Sequence, residues 1–187
     1  MMSVSEHEAR GALAEIEAVT RRGQTLKGYR YAGPILMVWG VIWFLGYLGM
    51  ARLSPALWGW MWLALDGVGF AATLLLAAKA PAAAGGAAGQ AMRTSLGMAA
   101  GVAFVLAIVA VFPKHDLLPY LALPGLFVGF IYTVLGIYLA PRYAWIGVTL
   151  FVATLAGYYA WPAHLAEWLA VVGGGGLFLS GVWLRSA

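Results

Sequence analysis

The chain has no cysteine, which excludes disulfides, thiolate catalysis and cysteine-based metal sites. It is also poor in charge. Only 10% of its 187 residues are Asp, Glu, Lys or Arg, where a soluble domain carries about 25%. No Ser lies near a plausible base, so no nucleophile–base pair is legible. The glycine runs sit in apolar segments rather than in a loop between strand and helix, so there is no phosphate-binding loop. These absences argue against an enzyme, and no cofactor is expected.

Hydrophobic residues make up 63% of the chain. A soluble protein of this size has too little interior to hide that much apolar surface. A lipid bilayer removes the conflict. The formal net charge is +4. Its basic residues are scattered in short segments between apolar runs and form no patch, so nucleic acid is rejected as a partner. The first 30 residues are polar. A cleavable signal peptide with an early apolar core is therefore not expected, and the first apolar helix is expected to stay inserted.

Residues 5–22 read as a soluble amphipathic helix. Ser5 and Glu8 form a capping box. Ala9, Ala12, Leu13, Ile16 and Val19 fall on one face, and Gly23 is a plausible stop. The narrow apolar face favours docking onto the bundle or a partner helix over anchoring in lipid. Six apolar segments follow, at about 32–51, 56–78, 94–113, 118–140, 143–161 and 163–184. Each has roughly the 20 residues that cross a hydrocarbon core, and in lipid such runs satisfy their backbone groups as helices. The expected fold is an all-α integral membrane bundle of six transmembrane helices with a short amphipathic N-terminal helix. Residues 1–30 form the cytoplasmic helix and basic linker. Residues 31–187 form the membrane domain, with a flexible cytoplasmic loop at 79–93.

Lys and Arg set the orientation. Arg10, Arg21, Arg22, Lys27, Arg30, Lys79, Arg93, Arg142 and Arg185 fall on one side, and Arg52 and Lys114 on the other. Both termini are therefore expected in the cytoplasm, with the protein in the bacterial inner membrane and membrane lipids as its surroundings. Trp58, Trp60, Tyr120 and Trp161 fit interfacial positions at outer helix ends. A weak repeat relates Gly46-Tyr47 with Trp62-Leu63-Ala64 to Gly157-Tyr158 with Trp168-Leu169-Ala170. It makes three helical hairpins a natural unit. Chance similarity between apolar, glycine-rich segments is its rival.

Gly97 with Gly101, and Gly125 with Gly129 and Gly136, have the spacing that lets helices approach closely. Gly173 to Gly176 form a run that either packs tightly or bends the helix and bares backbone to a ligand. Pro124 and Gly125 predict a kink whose freed carbonyl needs another donor.

Asp66 is the most informative residue. It lies mid-segment, where a charged Asp costs about 2.5–3.5 kcal/mol to insert and usually marks function or a polar seam. Trp58, Trp62 and Asp66 share a face at i, i+4 and i+8, with Thr73 two turns on. Asp66 is expected to be protonated, or hydrogen-bonded to one of Tyr132, Thr133, Thr149, Thr154 and Ser180. The plain alternative is a structural hydrogen bond between helices; the sharper one is a proton, cation or ligand site. His164 and Glu167 at i, i+3, with His115 and Asp116, are candidate zinc ligands, against the plainer reading of a solvated loop. Trp39, Trp43 and Tyr47 form an aromatic stripe, read either as packing or as the wall of a site for an amphipathic, quinone-like ligand.

Three stretches carry a family resemblance: Glu8-Ala-Arg with Leu13-Ala-Glu-Ile16, Trp39-Gly-Val-Ile-Trp43-Phe-Leu-Gly46-Tyr47, and Trp62-Leu-Ala-Leu-Asp66. The chain resembles small uncharacterised bacterial six-helix membrane proteins with a short helical N-terminus. Such proteins look like companions of a transcriptional regulator, which implies at most a sensing or accessory role; the narrow apolar face of the N-terminal helix leaves room for a protein partner, and oligomers are open. No catalytic residue carries over. The size also looks like that of substrate-binding subunits of vitamin transporters, without a supporting motif. Two functions thus stand side by side. One is a non-enzymatic sensor or scaffold holding a lipid-like ligand. The other is a small-solute, proton or cation transporter or channel using Asp66.

Overall fold

A computed structural model describes residues 6–79, 87–111 and 117–186. Among them every regular element is helical. The elements are α1 (Glu6–Arg52), α2 (Pro55–Ala78), α3 (Ala87–Val111), α4 (Leu118–Tyr138), α5 (Pro141–Ala160), α6 (Leu165–Leu169) and α7 (Gly176–Arg185). A short 3₁₀ turn precedes α6, and a π-helical stretch over Ala170–Gly175 joins it to α7. Five segments are long and apolar enough to cross a membrane: α1, α2, α4, α5 and the α6–α7 unit. In α3 the described apolar stretch is shorter, Ala99–Ile108.

Two expectations about the N-terminal half change. The helix does not stop at Gly23, and α1 runs unbroken for 47 residues into the first apolar segment. No Schellman-type turn forms there, because the residues on both sides of Gly23 continue the helical ladder. Ser5, the expected cap, lies outside the described residues. The helix also runs through Pro34. The acceptor that Pro34 leaves without an amide belongs to Arg30, which is exposed at the polar end of the segment. The loop expected over 79–93 is shorter, since α3 already begins at Ala87; residues 80–86 lie outside the described residues.

Two glycine-lined seams hold the bundle. Along α4 and α5, a Cβ at Gly136 would land on the backbone of Ala144, and one at Gly129 would meet the Phe151 amide nitrogen at 2.9 Å. A Cβ at Gly125 would collide with Thr154, which is fully buried. The contacts run in opposite chain directions, so the pair is antiparallel. The second seam joins α1 to α7 and the π-helical stretch. Gly33 faces Gly181 and Gly40 faces Gly174, again antiparallel and seven residues apart on each side. A seven-residue step keeps both glycines on one face, and bare backbone there permits the close approach that transmembrane helices need without a hydrophobic drive between them.

The glycine run Gly173–Gly176 therefore does two jobs. Its Gly173, Gly174 and Gly175 lie in the π-helical stretch, and Gly174 seats against Phe44 and Gly40 of α1. Buried between the seams lie Leu36, Trp43, Tyr47, Leu150, Leu165, Leu169 and Leu177. Tyr47 is 1% exposed, and its hydroxyl donates to the Leu121 carbonyl of α4 at 2.9 Å. That carbonyl is one residue beyond the acceptor that Pro124 leaves without an amide.

Candidate functional site

The residues singled out on α2 lie on its side towards α1. Gly69 and Thr73 are the buried positions of α2, and Gly69 lies against Ile42 and Trp39. Thr73 accepts a hydrogen bond from the Trp39 indole N–H at 3.0 Å. Trp62 packs edge-on against Tyr47 with ring centroids 5.6 Å apart, and its N–H donates to the Met50 sulfur. Trp58 donates to the Leu53 carbonyl at 3.1 Å, bracing the turn between α1 and α2. Trp58, Trp62 and Thr73 are thus packing and positioning groups of the α1–α2 contact.

Asp66 stands on the rim of that contact, half-buried. Among the described residues it has no hydrogen-bond or ion-pair partner. The partners expected from the sequence are engaged or placed elsewhere. Thr133 donates to Gly129 and Thr154 to Leu150, each within its own helix. Tyr132 faces Tyr143. Thr149 and Ser180 line a cleft between α5 and α7. The sequence could not choose because depth in the membrane says nothing about which side of a bundle a helix occupies.

The candidate metal cluster is half visible. His164 Nδ1 lies 3.8 Å from Glu167 Oε1, a loose pair with the imidazole largely exposed. His115 and Asp116 lie outside the described residues. Among the described residues no group of three or more potential ligands comes together.

The aromatic stripe on α1 turns out to line a cleft. Trp39, Trp43 and Leu36 form one wall, Val128, Ile131, Tyr132 and Leu135 of α4 the other, and Leu177 of α7 the floor. Its volume is about 320 Å³. The walls are held before any ligand arrives. Trp39 is fixed by Thr73 and by an edge contact to Phe70, and Trp43 by an edge contact to Tyr47. Tyr47–Leu121 ties α1 to α4 at one end. At the other, Tyr132 makes a tilted contact with Tyr143, which meets Tyr29 edge-on, with centroids 5.9 and 5.5 Å apart. Tyr132 is the polar group of the cleft, and its hydroxyl has no hydrogen-bond partner among the described residues. Apolar walls, ring faces and one phenol suit a flat or chain-like apolar molecule with a single polar end.

The sequence points to Trp39 and Trp43 but not to Tyr29, nor to Tyr132 as a wall residue. No periodicity separates inward from lipid-facing aromatics when both environments are apolar. Comparison with known proteins finds no matching family model, no similar curated protein and no similar solved structure.

Proposed function

We propose that this chain is a polytopic inner-membrane protein without enzymatic chemistry, a sensor or accessory subunit that holds a lipid-like ligand between α1 and α4. The observation that carries the reading is the aromatic cleft of about 320 Å³, with Trp39, Trp43 and Tyr132 on its walls. The test is chemical. Protein purified in mild detergent is extracted with organic solvent, and the extract is analysed by mass spectrometry. Wild type retains one apolar species in stoichiometric amount, and Leu135→Trp, which fills the cleft, loses it. Equal background lipid from both proteins sinks the reading.

In this reading the bundle has six spans with both termini in the cytoplasm. Support comes from chain direction. Tyr47 sits near the end of α1 and bonds Leu121 near the start of α4. Gly46 lies against Trp62, and Gly69 against Ile42, so α2 runs back along α1. The end of α2 and the start of α4 are therefore at opposite ends of the bundle. A sixth crossing between them supports this reading, and α3, 25 residues or about 37 Å long, has the length for it. Phe104 of α3 stacks on Phe127 of α4 at 4.6 Å. The nine-to-two division of Lys and Arg puts the loop before α3 inside.

Support for the hairpin repeat is similar in kind. A Cβ at Gly46 would strike the Trp62 ring, and a Cβ at Gly157 would strike the Trp168 ring. The two halves of the sequence repeat thus make the same glycine–indole contact. The polar half of α1 would project from the membrane as a rigid extension, since 47 helical residues reach about 70 Å and the hydrocarbon core is about 30 Å thick. Its Leu13, Ile16 and Val19, all more than 60% exposed, offer a protein partner the narrow apolar face read from their helical spacing.

Asp66 favours a second reading, a proton or cation transporter. A half-buried carboxylate without a partner is costly in a membrane and is retained for use more readily than for packing. Asp66→Asn would then fold normally and abolish transport.

A further inference from the structure

Arg142 sits in the first turn of α5 and is held from three sides. Its backbone N–H donates to the Tyr29 hydroxyl at 3.1 Å, and its Nη1 donates to the Trp183 carbonyl at 2.8 Å. The guanidinium lies over the Trp183 ring at 4.9 Å and the Tyr29 ring at 5.4 Å. These contacts fix its plane while using one of its five N–H donors. Among the described residues no carboxylate pairs with it. Arg185, two residues beyond Trp183, packs its stem over Gly33 and adds a second positive charge at the same end of the bundle.

A second cleft, of about 220 Å³, runs between α5 and α7 and is lined at one end by Trp183, whose ring the Arg142 guanidinium covers. Trp145 and Thr149 line one wall, three and seven residues on from Arg142 and hence on its face of α5. Trp183, Ser180 and Gly176 line the other, stepping away from the guanidinium by three and four residues. A Cβ at Gly176 would meet nothing within 4 Å, so the deep end is wide. Ser180 lies about 4.5 Å deeper than Trp183 along the helix, and its hydroxyl has no hydrogen-bond partner among the described residues.

We propose that this groove binds one anionic phospholipid, with its phosphate on the free edge of Arg142 and an acyl chain between α5 and α7. The planar guanidinium matches a phosphate bidentately and is pre-oriented by its ring contacts, which lowers the cost of ordering it. Ser180 stands where an ester carbonyl would follow the phosphate. A zwitterionic headgroup brings its own cation to a site that already holds Arg142 and Arg185, so the groove selects against it. The groove shares Leu177 alone with the lining of the α1–α4 cleft, and only its assignment to the cytoplasmic leaflet rests on the orientation proposed above. That leaflet carries a negative surface potential from anionic lipids.

Native mass spectrometry of the full chain in detergent tests the proposal. Dioleoylphosphatidylglycerol and dioleoylphosphatidylcholine are added at equal concentration, with inorganic phosphate as a separate competitor. Wild type retains the anionic lipid over the zwitterionic one by about tenfold or more. Arg142→Gln removes the preference, and Arg142→Lys keeps part of it, because a point charge remains and the fork is lost. Thr149→Trp fills the groove and lowers retention of both lipids. Inorganic phosphate at millimolar concentration leaves the lipid bound, because the chain holds it too. An unchanged preference in Arg142→Gln overturns the proposal, as does wild-type retention by Thr149→Trp. Displacement by inorganic phosphate overturns it in favour of a simple anion site. If Arg142→Gln is not monodisperse on gel filtration, the Lys and Trp variants decide.

Discussion

Two Gly-x-x-x-Gly motifs in this chain have opposite fates. Gly125 and Gly129, continued by Gly136, are buried in the α4–α5 seam, where an added Cβ would strike Thr154, Phe151 or Ala144. Among the described residues, a Cβ added at Gly97 or Gly101 of α3 would meet nothing within 4 Å. The same spacing gives a close interhelical contact in one helix and an open surface in another. A small-residue stripe permits close approach, but the neighbour that uses it is specified elsewhere in the chain. Ala144, Gly147 and Thr154 of α5 supply that neighbour for α4. The α1–α7 seam makes the same point with Gly33, Gly40, Gly174 and Gly181, of which only Gly174 falls in a run conspicuous in the sequence.

The sharpest way to break the comparison is to ask whether α3 is a span at all. Reporter fusions after residue 30, within 80–86 and at the C-terminus should all read cytoplasmic, and one placed at residues 112–116 periplasmic. A periplasmic signal near residue 85 removes the six-span arrangement, and with it the meaning of an open motif on α3. Next in size is the packed motif itself. Gly136→Val should lower stability by about 3 kcal/mol, because the new side chain meets Ala144 backbone on a rigid partner. Thermal unfolding in detergent measures it, and a shift indistinguishable from zero would show that the seam can open.

Tyr47→Phe removes the hydroxyl bond that ties α1 to α4 beside the Pro124 turn. The expected loss is about 1 kcal/mol, in the range of interhelical hydrogen bonds in membranes. No loss would mean that Leu121 finds another donor. Smaller still is the expected effect at Asp66. With no partner among the described residues, neither Asp66→Asn nor Asp66→Leu should fall below wild type in unfolding temperature. A clear drop for Leu with Asn unchanged would reveal a polar seam and weaken the case for a functional carboxylate. At the bottom of the scale, Gly97→Leu and Gly101→Leu should shift stability by no more than about 0.5 kcal/mol. A large drop in either would show that α3 carries a partner, most simply a second copy of the chain.

The site was legible in part, and the division follows burial chemistry. Trp39 and Trp43 stood out because a repeated indole on one helix face is conspicuous in composition. Tyr132 and Leu177 did not, because their importance comes from facing Trp39 and Trp43 across a gap between helices distant in sequence. Asp66 was found at once, since a lone acid in an apolar run violates the hydropathy pattern. Its proposed partners were misplaced because a list of hydroxyls at similar depth contains no angular information. Arg142 was read as a topology signal alone. Its contacts to Tyr29 and Trp183 come from residues 113 behind and 41 ahead.

The sequence by itself determined that the chain is helical and apolar, that five segments are long and apolar enough to cross a bilayer, and where the basic residues fall between them. Those properties are additive along the chain: helical hydrogen bonds close within four residues, and transfer to lipid sums over a window. Only the tertiary structure decided that α1 continues through Gly23, that α4 pairs with α5 and α1 with α7, and that two clefts remain between them. In water the apolar face of a helix announces which side is buried. In lipid both sides are apolar, so the inward face is set by shape, by the fit of one bare glycine backbone against another far away in sequence.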